Sequence, residues 1–256
     1  MSDRCRLRSV SVSGRATEAA SLTGDFTDLA AGPGNTLEAA DNSGTIVRCK
    51  ISRRPSARCR SVAVPAKFDA GQVAAIGQAG GRVWFTDDAG ELGSLSTSGN
   101  RFGGPFGDLR VKGQTAGEAS ADAGTITTDL AGWLYVAGGQ GSDPLFENDL
   151  IRMINPHDGK LQYTYSRGLT NVVALTGGGD GNIWFLDEKN PITGAANVGM
   201  LDTSTGQITE SALPREFRLP RAGAAISPGP AGSNTVFFTL QSAVGAHPAV
   251  GEVTGL

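Results

Sequence analysis

A repeated pattern of strand, glycine turn and strand sets the strongest limit on how this chain of 256 residues folds. The clearest copy, Gly-Gly-Gly-Asp-Gly-Asn-Ile-Trp-Phe-Leu-Asp, ends at Asp187, and a close copy ends at Asp87. Weaker copies cover 226–239, 126–136 and 29–37. One aromatic or apolar position of the pattern recurs about every fifty residues, at Leu37, Trp84, Tyr135, Trp184 and Phe237. Five copies at this period predict a repeat architecture.

Each copy continues into two further short strands, so the repeat unit has four strands. After Asp187 they are 197–202 and 207–213, joined by a Thr-Ser-Thr-Gly turn. Short segments with partial alternation of apolar and polar residues, bounded by Gly, Asn, Asp and Ser, are typical of antiparallel strands. No window has apolar residues at helical spacing. The sequence predicts an all-β protein, a β-propeller of about five four-stranded blades, or of six or seven if the chain is a fragment.

We interpret residues 1–256 as a single propeller domain. The predicted blades are 27–68, 73–109, 123–168, 171–215 and 221–256. The last blade ends at its third strand. Because an open sheet edge exposes unpaired backbone groups, we expect strands from residues 1–26 to close the ring by pairing with this blade.

The alternation of strand direction gathers the longer connections on one face, here called the loop face. It carries 138–149, 187–197 and 241–249, whereas the opposite turn face has short turns. Variable loops on a rigid scaffold are common binding sites. We therefore expect a small molecule, protein or peptide to bind at the loop face. The candidate binding residues are Asp143, Glu147, Asp149 and Gln241. The acidic residues of 138–149 could alternatively belong to a solvated loop.

Composition excludes some partners. A net charge of −3 without a stripe of basic residues gives no reason to expect nucleic acid. No run of about eighteen apolar residues is present, so we expect no membrane span. No signal peptide is seen at the start, and we expect a monomer.

Three cysteines bear on the compartment. Cys49 and Cys59 lie on predicted neighbouring strands that flank a turn at 53–56. A disulfide between them would suit an oxidising, extracytoplasmic compartment. Alternatively, all three cysteines are half-buried thiols. The compartment therefore stays open.

A family resemblance rests on the fourth repeat. Its Gly-x-Asp-Gly-Asn-Ile-Trp-Phe-x-Asp motif, followed by Asn-x-Gly-x-Leu and Gly-x-Ile-Thr-Glu, resembles the repeat of virginiamycin B lyases, which are streptogramin-inactivating propellers. The match is good over 173–213 and fair over 73–97 and 225–253. The resemblance implies a blade number of seven and an elimination that opens the ester of a cyclic depsipeptide. It also implies magnesium, a histidine base and glutamates at the channel mouth.

The resemblance carries over only in part. Val73 and Val173 stand in the slot of the family's histidine, and valine cannot accept a proton. The acid slot is kept as Asp87 and Asp187. Any remaining catalysis would use Asp87, Asp187, Glu188 and His247, with magnesium at Asp187 and Asp87. Both aspartates could equally be strand-end residues that bind backbone amides.

These observations favour a non-catalytic or catalytically degenerate lyase-like propeller that binds a ligand or partner. The alternative is a metal-dependent C–O lyase or hydrolase that acts on a cyclic depsipeptide or a similar ester.

Overall fold

The structure is a computed structural model. It describes residues 4–10, 16–23, 25–32, 34–50, 58–68, 73–87, 91–98, 100–106, 125–138, 150–190, 193–220, 224–243 and 247–256, the first two segments as backbone only. Within these ranges the protein is all-β, apart from one short 3-10 helix at Ala66–Phe68.

The strands form one hairpin and five antiparallel four-stranded sheets. The hairpin consists of β1 (Arg4–Val10) and β2 (Ala16–Thr23). The first sheet contains β3 (Phe26–Gly32), β4 (Thr36–Asp41), β5 (Thr45–Lys50) and β6 (Arg58–Ala63). The second contains β7 (Val73–Ala79), β8 (Arg82–Asp87), β9 (Leu92–Ser96) and β10 (Phe102–Gly103).

The third and fourth sheets repeat the same order. They contain β11 (Thr125–Thr128), β12 (Leu134–Gly138), β13 (Leu150–Ile154) and β14 (Leu161–Tyr165), then β15 (Val172–Gly177), β16 (Ile183–Asn190), β17 (Ala195–Leu201) and β18 (Ile208–Ala212). The fifth sheet contains β19 (Phe217–Arg218), β20 (Ile226–Pro228), β21 (Thr235–Ser242) and β22 (Pro248–Thr254). This is the predicted β-propeller architecture.

The fifth sheet departs from the simple order. Strands β19 and β20 lie end to end along one edge of β21, and β22 pairs with the other edge. Strands β1 and β2 pair with each other in a sheet of their own, from Arg4 opposite Thr23 to Val10 opposite Ala16. The expectation that they pair with the last blade is therefore corrected. Pairing two strands that are neighbours in sequence closes a short stretch of chain. This costs less entropy than bringing the two ends of the chain together.

A shared irregularity aligns the repeats. The strand of each sheet that lies nearest the centre is here called the inner strand; these are β3, β7, β11, β15 and β20. The pairing of the inner strand with the second strand shifts by one residue between Phe26 and Asp28, and likewise in the second and fourth sheets. These bulges face Asp41, Asp87 and Asp187, which therefore occupy one repeat position. By this register the position of Trp84 and Trp184 in the first sheet is Glu38, so the choice of Leu37 was wrong by one residue.

The hydrophobic core lies between consecutive sheets. Trp84 packs with Ile126 and Leu134 of the third sheet, and Trp184 packs with Val236 and Phe238 of the fifth. In the first sheet the fully buried Glu38 occupies this place. Its Oε1 accepts a 2.6 Å bond from Arg48 Nε, and Arg48 also donates to the carbonyls of Ser96 and Thr97 in the second sheet. A polar bridge thus joins the first sheet to the second at the repeat position where Trp84 joins the second sheet to the third and Trp184 joins the fourth to the fifth.

Of the two interpretations of Cys49 and Cys59, the structure supports the disulfide. Cys49 of β5 and Cys59 of β6 lie opposite each other and are bonded. This bond is compatible with an extracytoplasmic location. None of the described helices has the length and apolar character that crossing a membrane requires.

Candidate functional site

The inner strands of all five sheets line one central cavity of about 920 Å³. Its walls are formed by residues 26–31, 76–78, 125–128, 173–176 and 224–228. The described lining is mostly small and apolar, with hydroxyl groups from threonine and serine and one amide from Gln78. Asp28 is the one ionisable residue among these lining residues. The cavity has the volume of a small-molecule site.

Side chains from one inner strand bind backbone amides of the next. Asp28 Oδ2 accepts from Ile76 N at 2.9 Å, Thr125 Oγ1 accepts from Leu175 N at 3.2 Å, and Thr127 Oγ1 accepts from Gly177 N at 2.9 Å. None of the described strands pairs with the inner edge of an inner strand, so the amides on that edge need other partners. These bonds join neighbouring sheets around the cavity.

The Asp28 carboxyl is held in a low-polarity setting. Its Oδ1 also accepts from the amide of Leu29 at 2.7 Å. Burial raises the pKa of Asp28 to about 6, although the hydrogen bonds from the Ile76 and Leu29 amides oppose that rise. At neutral pH this carboxyl is therefore mostly ionised and can accept a proton within the physiological range.

Other polar groups of the lining are available to a ligand. In the described part of the chain, the side chains of Gln78, Thr128 and Thr176 make no hydrogen bond. Their hydroxyl and amide groups can both donate and accept. The cavity thus offers several neutral polar groups beside a single carboxylate.

Asp187 is the last fully buried residue of β16, three residues before the loop-face end of that strand. Its oxygens accept from the amides of Thr170 and Asn171, at 3.0 and 2.7 Å, and from Lys189 Nζ at 2.6 Å. These bonds attach the connection that precedes β15 to the sheet.

Lys189 extends this network outward. Its ammonium group also lies 2.9 Å from Glu210 Oε1 and donates to the carbonyl of Gly168 at 2.5 Å. Burial lowers the pKa of Lys189, but the hydrogen bonds and charges of Asp187 and Glu210 outweigh it, so that pKa is raised. Burial also raises the pKa of Glu210, against the effect of Lys189. The lysine therefore stays protonated between two carboxylates.

The other predicted site residues are spread apart. Glu188 Oε2 accepts from Asn171 Nδ2 at 3.2 Å, next to Asp187. Asp87 is fully buried at the end of β8, in a different sheet, and its Oδ1 accepts from Glu91 N at 2.7 Å. His247 is exposed before β22, and Gln241 is half-buried on β21. Asp143, Glu147 and Asp149 lie outside the described residues.

Magnesium does not fit the described surroundings of Asp187. The Lys189 ammonium contacts its carboxylate, and a second cation there would be repelled. Nowhere in the described ranges do three or more His, Cys, Asp or Glu side chains form a group that could hold a metal ion.

Asp28 and Thr125 were not predicted as site residues from the sequence. The first repeat is the least regular in sequence, and the bulge after Phe26 is invisible without the pairing register. A usable signal was the placement of Asp28 thirteen positions before Asp41, as Ala174 stands thirteen positions before Asp187.

These features define a β-propeller with a ligand-sized axial cavity. Its fold is similar to that of virginiamycin B lyase from Staphylococcus aureus, at 18% identity and a TM-score of 0.61, over 97% of this chain and 76% of that one. A streptogramin B lyase structure is similar at 18% identity and a TM-score of 0.63, over 98% and 76%. A protein of unknown function from Bacteroides thetaiotaomicron matches at 13% identity and a TM-score of 0.63, over 97% and 64%.

No protein-family model and no curated protein sequence matches the chain. At such low identity, the similarity to the solved structures establishes a common fold and leaves function to be argued from the site.

Proposed function

We propose that this chain is a non-catalytic, lyase-like β-propeller that binds a small ligand in its central cavity. The observation that carries the proposal is the cavity of about 920 Å³ at the meeting point of five inner strands. Its rigid walls with a few polar groups suit selective binding. The loop-face residues Asp143, Glu147, Asp149 and Gln241 are proposed to contact the ligand at the cavity mouth.

The surroundings of Asp187, which occupies the repeated acid position, support binding over catalysis. A general base must reach a substrate proton. The oxygens of Asp187 instead accept hydrogen bonds from two amides and Lys189, and the residue is fully buried. Its contacts resemble those of a residue that fixes a loop.

A cavity-filling substitution tests the proposal. Ala225 is exposed to the cavity, whereas Ala212 is exposed on the outer strand β18, away from it. We expect small polar fragments detected by saturation-transfer NMR to bind the wild type and Ala212→Trp, but not Ala225→Trp. Fragment binding that is equal in both variants would place the ligand site elsewhere.

The second candidate function is a metal-dependent lyase acting on an ester. Two observations favour it: the similarity to lyase structures, and the buried aspartates at one repeat position of the second and fourth sheets. A turnover assay on a cyclic depsipeptide, with magnesium or with a chelator, separates the candidates. We expect no turnover. Magnesium-dependent turnover lost in His247→Ala, whose exposed side chain can be removed without disturbing the core, would favour the lyase.

A further inference from the structure

Asp28 and Thr125 occupy the same position of their repeats. Asp28 pairs with Ala40 and Thr125 with Ala137, each one residue inside the acid position of its sheet. Both side chains cap the amide of an equivalent residue on the next inner strand. A neutral threonine therefore performs in the third sheet the hydrogen bonding that an aspartate performs in the first.

An ionised carboxylate at this position lowers the stability of the fold, whereas a neutral threonine does not. Burying an ionised group without an opposite charge is unfavourable, which is why burial raises the pKa of Asp28. The contact with β7 requires only one acceptor, for the Ile76 amide, because the second bond of Asp28 goes to the exposed amide of its own neighbour Leu29. The charge of Asp28 thus needs an explanation other than structure, and charged groups that reduce stability are common at functional sites.

No cation among the described residues neutralises Asp28. Its strand packs against β4 and β7. On β4, Glu38 is paired with Arg48, and Asp41 accepts from the amide of Ser43. Strand β7 has no ionisable residue, and neither have the cavity-lining parts of β11, β15 and β20. As far as the described residues go, an ionised Asp28 therefore faces the cavity without a compensating positive charge.

We propose that the central cavity takes a ligand with a protonated amine, whose ammonium group pairs with Asp28. This proposal rests on the proposed ligand-binding function and names the ligand class. The ammonium donates to the carboxylate, and the neutral side chains of Gln78, Thr128 and Thr176 are available to the rest of the ligand. A calcium or magnesium ion would need about six oxygen ligands, whereas this lining has one carboxylate. An anionic ligand would be repelled.

The amine has two possible sources, a free polyamine or a lysine side chain of a peptide. Isothermal titration calorimetry with spermidine and with the N-acetylated, C-amidated tripeptide Gly-Lys-Gly distinguishes them, and the equally blocked Gly-Gln-Gly, which has no amine, serves as the neutral match. We expect at least one amine to bind the wild type and the blocked Gly-Gln-Gly to bind about tenfold more weakly or not at all.

Two variants make the test specific to the carboxylate. Asp28→Thr installs the residue that the third sheet uses at this position, so the Ile76 amide keeps an acceptor. We expect it to fold normally and to lose amine affinity by about tenfold or more. Adding Thr125→Asp moves the carboxylate to the equivalent position of the third sheet, and we expect it to restore most of the affinity. Amine affinity in the wild type should also fall by about tenfold from pH 7 to pH 5, because Asp28 becomes protonated.

The outcomes separate this inference from the proposed function. Amine binding that is unchanged in Asp28→Thr, or absent in the wild type, overturns the amine proposal. If neutral fragments still bind the wild type and are lost in Ala225→Trp, the cavity remains a ligand site of another chemistry. If neither class binds, both proposals fall.

Discussion

The buried charges of this protein differ in whether an opposite charge lies beside them. We assign a structural role to those that are paired and a ligand-binding role to Asp28. Lys189 sits between Asp187 and Glu210, and all three groups are partly or fully buried. Asp28 has a comparable carboxyl but no cation beside it among the described residues. A buried charge without a partner weakens the fold, and removing one partner of a buried pair creates such a charge.

Replacement of Lys189 by methionine tests the structural pair. The variant leaves Asp187 and Glu210 buried without their cation, and we expect the free energy of unfolding to fall by about 2 to 4 kcal/mol in urea denaturation. Lys160→Met is the matched control, because Lys160 and Asp158 pair at 3.3 Å with side chains 76% and 42% exposed. It should change stability by less than about 1 kcal/mol. If the two variants lost the same stability, the proposed structural role of Lys189 would be contradicted.

The pH dependence of stability tests Asp28. Its pKa is 3.8 in the unfolded chain and about 6 in the folded protein, so the folded state binds the proton more tightly. Its contribution to stability is fully present below about pH 4 and is lost as the pH rises through about pH 6. We expect Asp28→Thr to be more stable than the wild type by about 1 to 3 kcal/mol at pH 7.

Urea unfolding of both proteins at several pH values provides the measurement. The gain of Asp28→Thr should shrink towards zero near pH 4, because the wild-type carboxyl is then protonated. Other carboxyl groups titrate alike in both proteins and cancel in the comparison. A stability difference between the two proteins that is constant with pH would mean that burial does not shift the pKa of this carboxyl.

Among the strands, close approach around the cavity depends on glycine. Gly177 of β15 lies against β11, where a Cβ atom would overlap the carbonyl oxygen of Thr128. Its amide also donates to Thr127. Backbone atoms cannot move aside as a flexible side chain can. The spacing of the third and fourth sheets therefore requires a residue without a side chain.

Gly177→Ala should force these two strands apart. We expect a loss of about 2 to 4 kcal/mol in the free energy of unfolding, from lost packing and a weakened bond to Thr127. Gly81→Ala is the comparison, because no atom lies within 4 Å of its added methyl group and only its φ of 71° resists the change. That strain should cost about 1 kcal/mol. If Gly81→Ala lowered the free energy of unfolding as much as Gly177→Ala, the close approach of Gly177 to β11 would be contradicted.

The five sheets together show what the sequence could and could not reveal. Trp84, Trp184 and the glycine turns before them set the period and the strand order, because such signals are local. The sequence did not reveal that Glu38 takes the place of the tryptophan in the first sheet and pairs with Arg48. These two polar residues are ten positions apart, and their pairing becomes visible only when β4 and β5 are aligned. Asp28 was missed for the same reason, as its partner Ile76 lies in the next sheet. Contacts between sheets depend on the register of the strands, which the amino-acid sequence alone does not reveal.

Burial decreases from the second strand of each sheet towards its outer edge, and this gradient should govern local opening. Strands β12 and β16 are buried along most of their length, whereas β14 and β18 are largely exposed. Hydrogen bonds in exposed strands break by small fluctuations that leave the core intact. We expect hydrogen exchange, followed by mass spectrometry, to be at least about tenfold faster in β14 and β18 than in β12 and β16. Uniform protection across each sheet would instead mean that a sheet opens as a single unit, with its outer strand held as firmly as its buried ones.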